Sequence, residues 1–372
     1  MRKTAFFLLV IICLTLLFSG CGKPAAQEQP APQMTSMQAS AQETACARAV
    51  WLASQFFETG SVSCARLYSY GPYPSYYLED AASLTAFLKS AEAGTDDELE
   101  LLFPRADGAV SYQKLSMERG KFYAQFVRCE KDAGGFVKAV SFERFPVLDW
   151  TVSDRGNFYY RLFPAGDKHY ADYQLIRSSA PDAAYNTALE RYILPIDYYY
   201  VNLFLLDWSE SDFADISFND LFDRLYALRS GVQPDTTVYS ENAQSHIFRI
   251  PSDEFERVVL PFFSVSVDTL RALAGYDAET GSYPWREIRT NDMERYDYPA
   301  VEPYITDICQ NSDGTTTLYV SCLSTDLPTD CIFSHALTVR DLPSGGFQYV
   351  SNRITAQTEY GLPNAAPRLD AK

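Results

Sequence analysis

Between Leu99 and Phe163 the chain runs through six short β-favouring segments: Leu99 to Phe103, Ala109 to Glu118, Lys121 to Glu130, Phe136 to Phe145, Leu148 to Ser153 and Phe158 to Phe163. Asp107-Gly108, Arg119-Gly120, Gly134-Gly135 and Arg155-Gly156 punctuate them with turn chemistry. A second series, Tyr304 to Gln310, Thr315 to Leu323, Cys331 to Arg340 and Phe347 to Ile354, is joined by Asn311-Ser-Asp-Gly314, a polar loop and Ser344-Gly-Gly346. Connectors in both series are two to seven residues long. Parallel neighbours need a crossover of about a dozen residues or more. The pattern predicts antiparallel meanders and argues against βαβ units.

Helical spacing precedes each series. Glu43 to Phe57, stopping at Gly60, and Leu78 to Ala93, ended by Gly94, come before the first. Ser252 capping Asp253 to Phe263, then Val267 to Ala274, come before the second. Between them lie a further strand, Tyr173 to Arg177, and helical segments from Pro181 to Leu194 and from Phe218 to Leu228. The expected fold class is α+β, with helix pairs packed on antiparallel meander sheets as two cystatin-like or NTF2-like units. In this division residues 43–178 form an N-terminal α+β domain, 179–245 a helical connecting region, 246–357 a C-terminal α+β domain and 358–372 a loose tail.

The chain has 372 residues, 47% of them hydrophobic, ample for buried cores and incompatible with disorder throughout. Its formal charge of −17 would repel a phosphate backbone, so no nucleic-acid partner is expected. Arg2 and Lys3 precede an uncharged run from Thr4 to Phe18, then Ser19, Gly20 and Cys21. This is the layout of a secretory signal, and the run is short for a membrane span of about 20 residues. Leu17-Phe18-Ser19-Gly20-Cys21 resembles the bacterial lipobox, with Phe18 at the usual leucine position. That resemblance implies a signal peptide over residues 1–20, a diacylglycerol on Cys21, and a location on the outer face of the cytoplasmic membrane. Residues 21–42, rich in Pro, Gln, Ala and Ser, are expected to form a disordered tether.

Six cysteines remain in the mature chain: Cys46, Cys64, Cys129, Cys309, Cys322 and Cys331. No pair has the spacing of a zinc ribbon or thioredoxin-like motif. Cys322 and Cys331 bracket a loop between two strands and are the pair best placed for a disulfide, the alternative being buried free thiols. Gly-x-Ser-x-Gly is absent, and Ser111-Tyr-Gln-Lys114 falls in a strand pattern where a penicillin-binding serine would need a helix. His169, His246 and His335 are scattered, and His335, on a strand face with Phe333, Leu337 and Val339, reads as a satisfied, partly buried histidine, the alternative being a catalytic base. No metal or cofactor is expected.

Two stretches stand out as candidate sites. Asp207, Trp208, Glu210, Asp212 and Asp215 concentrate acids beside aromatics between two apolar segments. Such a loop can cap helices, hold a hard cation, or pair two carboxylates across a sugar. Tyr70, Tyr73 and Tyr76 crowd a Gly/Pro-rich loop suited to binding sugars, peptides or protein. The lipobox-like leader, Val201-Asn-Leu-Phe-Leu-Leu-Asp-Trp-Ser-Glu210 with Phe218-Asn-Asp-Leu-Phe222, and Leu337-Thr-Val-Arg340 with Phe347-Gln-Tyr-Val-Ser-Asn352 resemble uncharacterised surface lipoproteins of clostridial-type Gram-positive bacteria, grouped as a domain of unknown function. The resemblance implies a surface lipoprotein and transfers no catalytic residue. The function expected is a membrane-tethered, non-enzymatic binding or assembly module for a glycan, peptide or protein. The alternatives are a cell-wall glycan hydrolase using paired carboxylates and the solute receptor of a transporter.

Overall fold

The computed structural model describes residues 36–69, 76–163, 173–179, 181–242, 245–288, 298–324, 326–363 and 366–370. The leader, Cys21, Tyr70 and Tyr73 lie outside them. In chain order the elements are α1 (Ser36–Thr59), β1 (Ala65–Ser69), β2 (Tyr76–Leu78), α2 (Ala81–Glu92), β3 (Asp97–Pro104), β4 (Val110–Glu118), β5 (Lys121–Lys131), β6 (Val137–Pro146), β7 (Asp149–Val152), β8 (Phe158–Arg161) and β9 (Gln174–Arg177). There follow α3 (Ala183–Ala188), a π-helical turn over Leu189–Ile193, β10 (Trp208–Ser209), α4 (Phe218–Ser230), β11 (Ser240–Asn242), β12 (Ile247–Pro251), α5 (Ser252–Val259), α6 (Val267–Leu273), β13 (Ser282–Trp285), β14 (Glu302–Gln310), β15 (Thr316–Ser324), β16 (Thr329–Asp341) and β17 (Phe347–Gln357). Residues 46–372 form one compact unit. Of residues 1–45, the described part is the helical stretch from Ser36. The helix thus begins seven residues before the expected Glu43, because Met, Gln and Ala favour helix even without an apolar stripe to announce it.

The α+β class holds, and the meanders β3–β6 and β14–β17 form as the turn spacing predicts. The N-terminal sheet is nevertheless mixed. Its order is β6-β5-β4-β3-β1-β2-β9-β8-β7, with β1 parallel to β3 and β2 parallel to β9. Two short strands flank the tyrosine-rich stretch that sequence marks only as turn, and they enter the middle of the sheet. α2 supplies the crossover that returns the chain to β3 in the parallel sense.

The strands at the two edges, β6 and β7, are consecutive in the chain. Val147 N–H donates to the Phe122 carbonyl at 2.9 Å and Leu148 N–H to the Arg161 carbonyl at 2.8 Å, so adjacent residues pair with strands from opposite ends of the sheet. A two-residue link can do this only if the sheet curls. α2 lies in the curl, its N-terminus capped by Asp80, with Leu84, Phe87, Leu88 and Ala91 buried. Phe122 sits 5.4 Å from Phe87, 6.0 Å from Trp150 and 6.1 Å from Phe158, ring to ring across the interior. α1 covers the other face of β3–β5, where Ala49, Leu52 and Ala53 join Leu102, Tyr112 and Val127.

The C-terminal sheet, β10-β17-β16-β15-β14, is antiparallel throughout, and β11-β12-β13 form a small third sheet. A single hydrophobic core runs from Ala188 through α4, α5 and β13 to Tyr349, so the connecting segment and the C-terminal sheet share one interior. Within it Phe255 stacks on Tyr283 at 4.2 Å and on Phe222 at 5.4 Å. The expected loose tail is corrected at Arg368. Its guanidinium pairs with Asp220 at 3.1 Å and Asp223 at 2.9 Å. Two acids three residues apart on one helix face form this socket, a partner that no apolar pattern in the tail reveals.

The curled sheet and the C-terminal sheet meet through a small apolar cluster of Tyr159, Leu175 and Leu323, and through polar contacts around it. Asn157 Nδ2 donates to Asp330 at 2.7 Å and the Tyr159 hydroxyl to the Thr329 carbonyl at 2.8 Å. At the centre Arg177 pairs with Glu302, their side chains 6% and 5% exposed, and the guanidinium lies 5.0 Å from the Tyr77 ring and 5.4 Å from that of Tyr304. Glu302→Leu should leave Arg177 buried without its carboxylate and cost about 3–5 kcal/mol in urea unfolding, most of it recovered in the double variant with Arg177→Met. An unchanged midpoint in the single variant would show that the pair does not hold this junction.

Candidate functional site: a polar groove on the C-terminal sheet

The segment carrying the predicted acidic loop is fixed from within. Asn202 donates through Nδ2 to the Asp215 carbonyl at 2.7 Å and accepts from Ser217 N–H at 3.1 Å. Trp208 is buried, donates Nε1–H to the Leu203 carbonyl at 2.7 Å and stacks on Phe213 at 5.9 Å. This places β10 alongside β17, with Trp208 opposite Asn352 and Ser209 opposite Ser351.

The acids divide by partner. Asp207 Oδ1 accepts from Ile354 N–H at 2.6 Å, tying the loop to β17. Glu210 makes a two-pronged pair with Arg340 at 2.8 and 3.0 Å. Asp212 closes its own turn by accepting from Ala214 N–H at 3.0 Å, and Asp215 contributes its main-chain carbonyl. Asp207 and Asp212 share a groove of about 560 Å³, whereas Glu210 and Asp215 do not line it. Among the described residues no three His, Cys, Asp or Glu side chains gather as a metal site.

The groove floor is the outer face of β15–β17. Register sets two rows across it. Thr317, Thr338 and Ser351 stand side by side on successive strands, and Ser209 continues the row on β10. In the neighbouring row Ala336 lies between Tyr319 and Arg353. Thr317 and Thr338 hydroxyls are 3.0 Å apart, and Asn311 Nδ2 donates to Thr317 at 2.9 Å. Alternation in each strand hints at an outward polar face. Which hydroxyls are neighbours depends on register, which sequence does not supply.

Behind the groove lies a buried polar chain. The Tyr198 hydroxyl is 2.7 Å from His335 Nε2, His335 Nδ1 is 2.7 Å from Asn352 Oδ1, and Asn352 Nδ2 donates to the Leu206 carbonyl at 2.9 Å. The amide oxygen can only accept, so Nδ1 carries the proton and Nε2 accepts from the tyrosine. The hydrogen bonds expected of a satisfied histidine are present, and His335 is wholly buried where only partial burial is expected. Cys322 and Cys331 carry free thiols, not a bridge. Cys322 faces the core opposite Phe333, where burial pushes its thiol up, while the Cys331 thiol donates to the Phe333 carbonyl at 3.3 Å. Tyr76 belongs to β2, its ring 4.5 Å edge-on to Phe103, and is part of the sheet instead of a free loop.

An α+β protein with a hydroxyl-lined groove on an antiparallel sheet is the class these features define. The chain belongs to a family of unknown function (DUF6070), whose model matches residues 71–368. No curated protein and no solved structure matches it.

Burial pushes His335 down to about 4, while an unfolded histidine titrates near ~6.5. The unfolded chain therefore binds the extra proton first. The stability that His335 confers as a neutral group is complete above pH ~6.5 and is lost as pH falls towards 4, by at most ~1.4 kcal/mol per pH unit. Urea unfolding between these limits should show that slope in the native chain and a shallower one in His335→Gln. Equal slopes would place the acid sensitivity elsewhere.

Proposed function

We propose that this protein is a lipid-anchored extracellular lipoprotein on the outer face of the cytoplasmic membrane, held through Cys21 and acting as a non-enzymatic binding module. The groove between β10 and β15–β17 is its binding face, with a glycan, peptide or protein as ligand. The observation that carries this reading is the commitment of the loop acids to the fold. Asp207 holds the β17 backbone and Asp212 its own turn, so neither is free to swing onto a glycosidic oxygen. The lipobox-like Leu17 to Cys21 supports the anchor, and no described helix is long and apolar enough to cross a membrane. The enclosure of α2 by the curled sheet supports the cystatin-like or NTF2-like description of the N-terminal unit.

The hydrolase reading keeps one observation in its favour, the presence of Asp207 and Asp212 in the same groove. Metabolic labelling with a palmitate analogue should mark the native chain and not Cys21→Ser. Incubation with cell-wall glycan should release no reducing ends. Label surviving in Cys21→Ser would remove the anchor, and turnover abolished by Asp207→Asn or Asp212→Asn would replace the binding module with an enzyme.

A further inference from the structure

Resting on the binding-module reading, we infer that the groove takes an uncharged oligosaccharide, seated over Ala336 with its ring against Tyr319 and its hydroxyls along the Thr317–Thr338–Ser351–Ser209 row. Four features of the groove lead there. First, strands are about 4.8 Å apart, so four hydroxyls in register make a row about 14 Å long, the reach of a short glycan chain more than of a single small molecule. Each hydroxyl both donates and accepts, as sugar hydroxyls do.

Second, the depression has a definite cause. Ala336 is only 6% exposed yet alternates away from its core-facing neighbours His335 and Leu337, and its small side chain leaves a gap between the larger Tyr319 and Arg353. Tyr319 is 38% exposed, so a ring face or edge is available for the C–H side of a pyranose.

Third, charge selects against anionic polymers. The groove holds Asp207 and Asp212 against one Arg353, on a chain of net charge −17, so an anionic glycan or acidic peptide is repelled. Carboxylates and a guanidinium side by side can still accept from and donate to neutral hydroxyls. Fourth, β10 pairs with β17 and occupies the sheet edge beside the groove. A peptide cannot add a strand there, and so loses the main-chain pairing by which extended peptides usually gain affinity.

The test is calorimetric titration of the full chain in detergent micelles with neutral tetraoses of glucose, N-acetylglucosamine and xylose, and with tetralysine and tetraglutamate. At least one tetraose should bind, and tetraglutamate should not. Tyr319→Ala, which removes the plate, and Ala336→Met, which fills the gap, should each weaken that binding by about tenfold or more, a change of ~1.4 kcal/mol, with a cooperative thermal transition retained in both. Binding of no tetraose overturns the inference, as does tetralysine binding in their place, or tetraose binding that neither variant moves. Palmitate label retained at Cys21 alongside tetralysine binding would leave the tethered binding module standing while removing its glycan ligand, so the two failures are distinguishable.

Discussion

The C-terminal half depends on a neutral histidine held between a tyrosine and an asparagine in a place no water reaches. His335 is on β16, Asn352 on β17 and Tyr198 in the connecting segment, so their hydrogen bonds clamp that segment onto the core face of the sheet. Asn352 then reaches the Leu206 carbonyl, one residue before Asp207. Burying polar groups is costly unless each finds a partner, and here each member is satisfied by the next. The clamp decides where β10 lands, and β10 forms one wall of the groove. A rigid site on the outside of the sheet is thus set by a polar chain on the inside.

The N-terminal half reaches rigidity by a different route. A two-residue link between edge strands forces the sheet to curl, and the curl supplies the enclosure that α2 fills. Phe87, Phe122, Trp150 and Phe158 then contact one another from the helix and three separate strands, which a flat sheet would keep apart. This unit has its own interior and touches the C-terminal sheet through a small apolar cluster of Tyr159, Leu175 and Leu323, through hydrogen bonds and through the Arg177–Glu302 pair. An ion pair of this kind gives little net stability but strongly penalises any arrangement that separates its partners. It fixes how the C-terminal sheet meets the curled one, and leaves the outer face of β15–β17 uncovered.

Short connectors made the antiparallel meanders legible, because a turn of a few residues permits only one pairing. Helical spacing likewise announced α4, α5 and α6, but the cap expected from Ser252 does not form: Ser252 is the first residue of α5, Pro251 stands at the cap position, and no side chain caps that end. The parallel pairings of β1 and β2 were not legible, since strands of five and three residues beside a Gly/Pro-rich stretch carry no periodicity long enough to read. The Arg368 socket was missed for a related reason: its two carboxylates and its guanidinium lie about 150 residues apart in sequence, and charge alone does not say which partners meet. Of the site, the acidic loop was visible and its role was not. Asp207 and Glu210 look alike in sequence, yet one binds a backbone amide in the groove and the other an arginine outside it. Tyr319, Ala336 and Arg353 carried no signal at all, because they become a row only when three strands take a particular register.

Ala336 shows how a packing argument separates a site from an ordinary sheet exterior. Alanine is depleted in strands because it offers little side chain to pack against cross-strand neighbours. At the outward centre of a thirteen-residue strand, flanked by Tyr319 and Arg353, a β-branched residue would cover more surface and stabilise both pairings. Stability alone therefore favours filling this position. The hydroxyls on either side of the adjacent row do not compensate, since solvated threonines and serines gain little from one another. Leaving the gap open costs the sheet some of its cross-strand packing and preserves a depression walled by β10, floored by a methyl group and edged by a tyrosine, a geometry that the fold itself does not require.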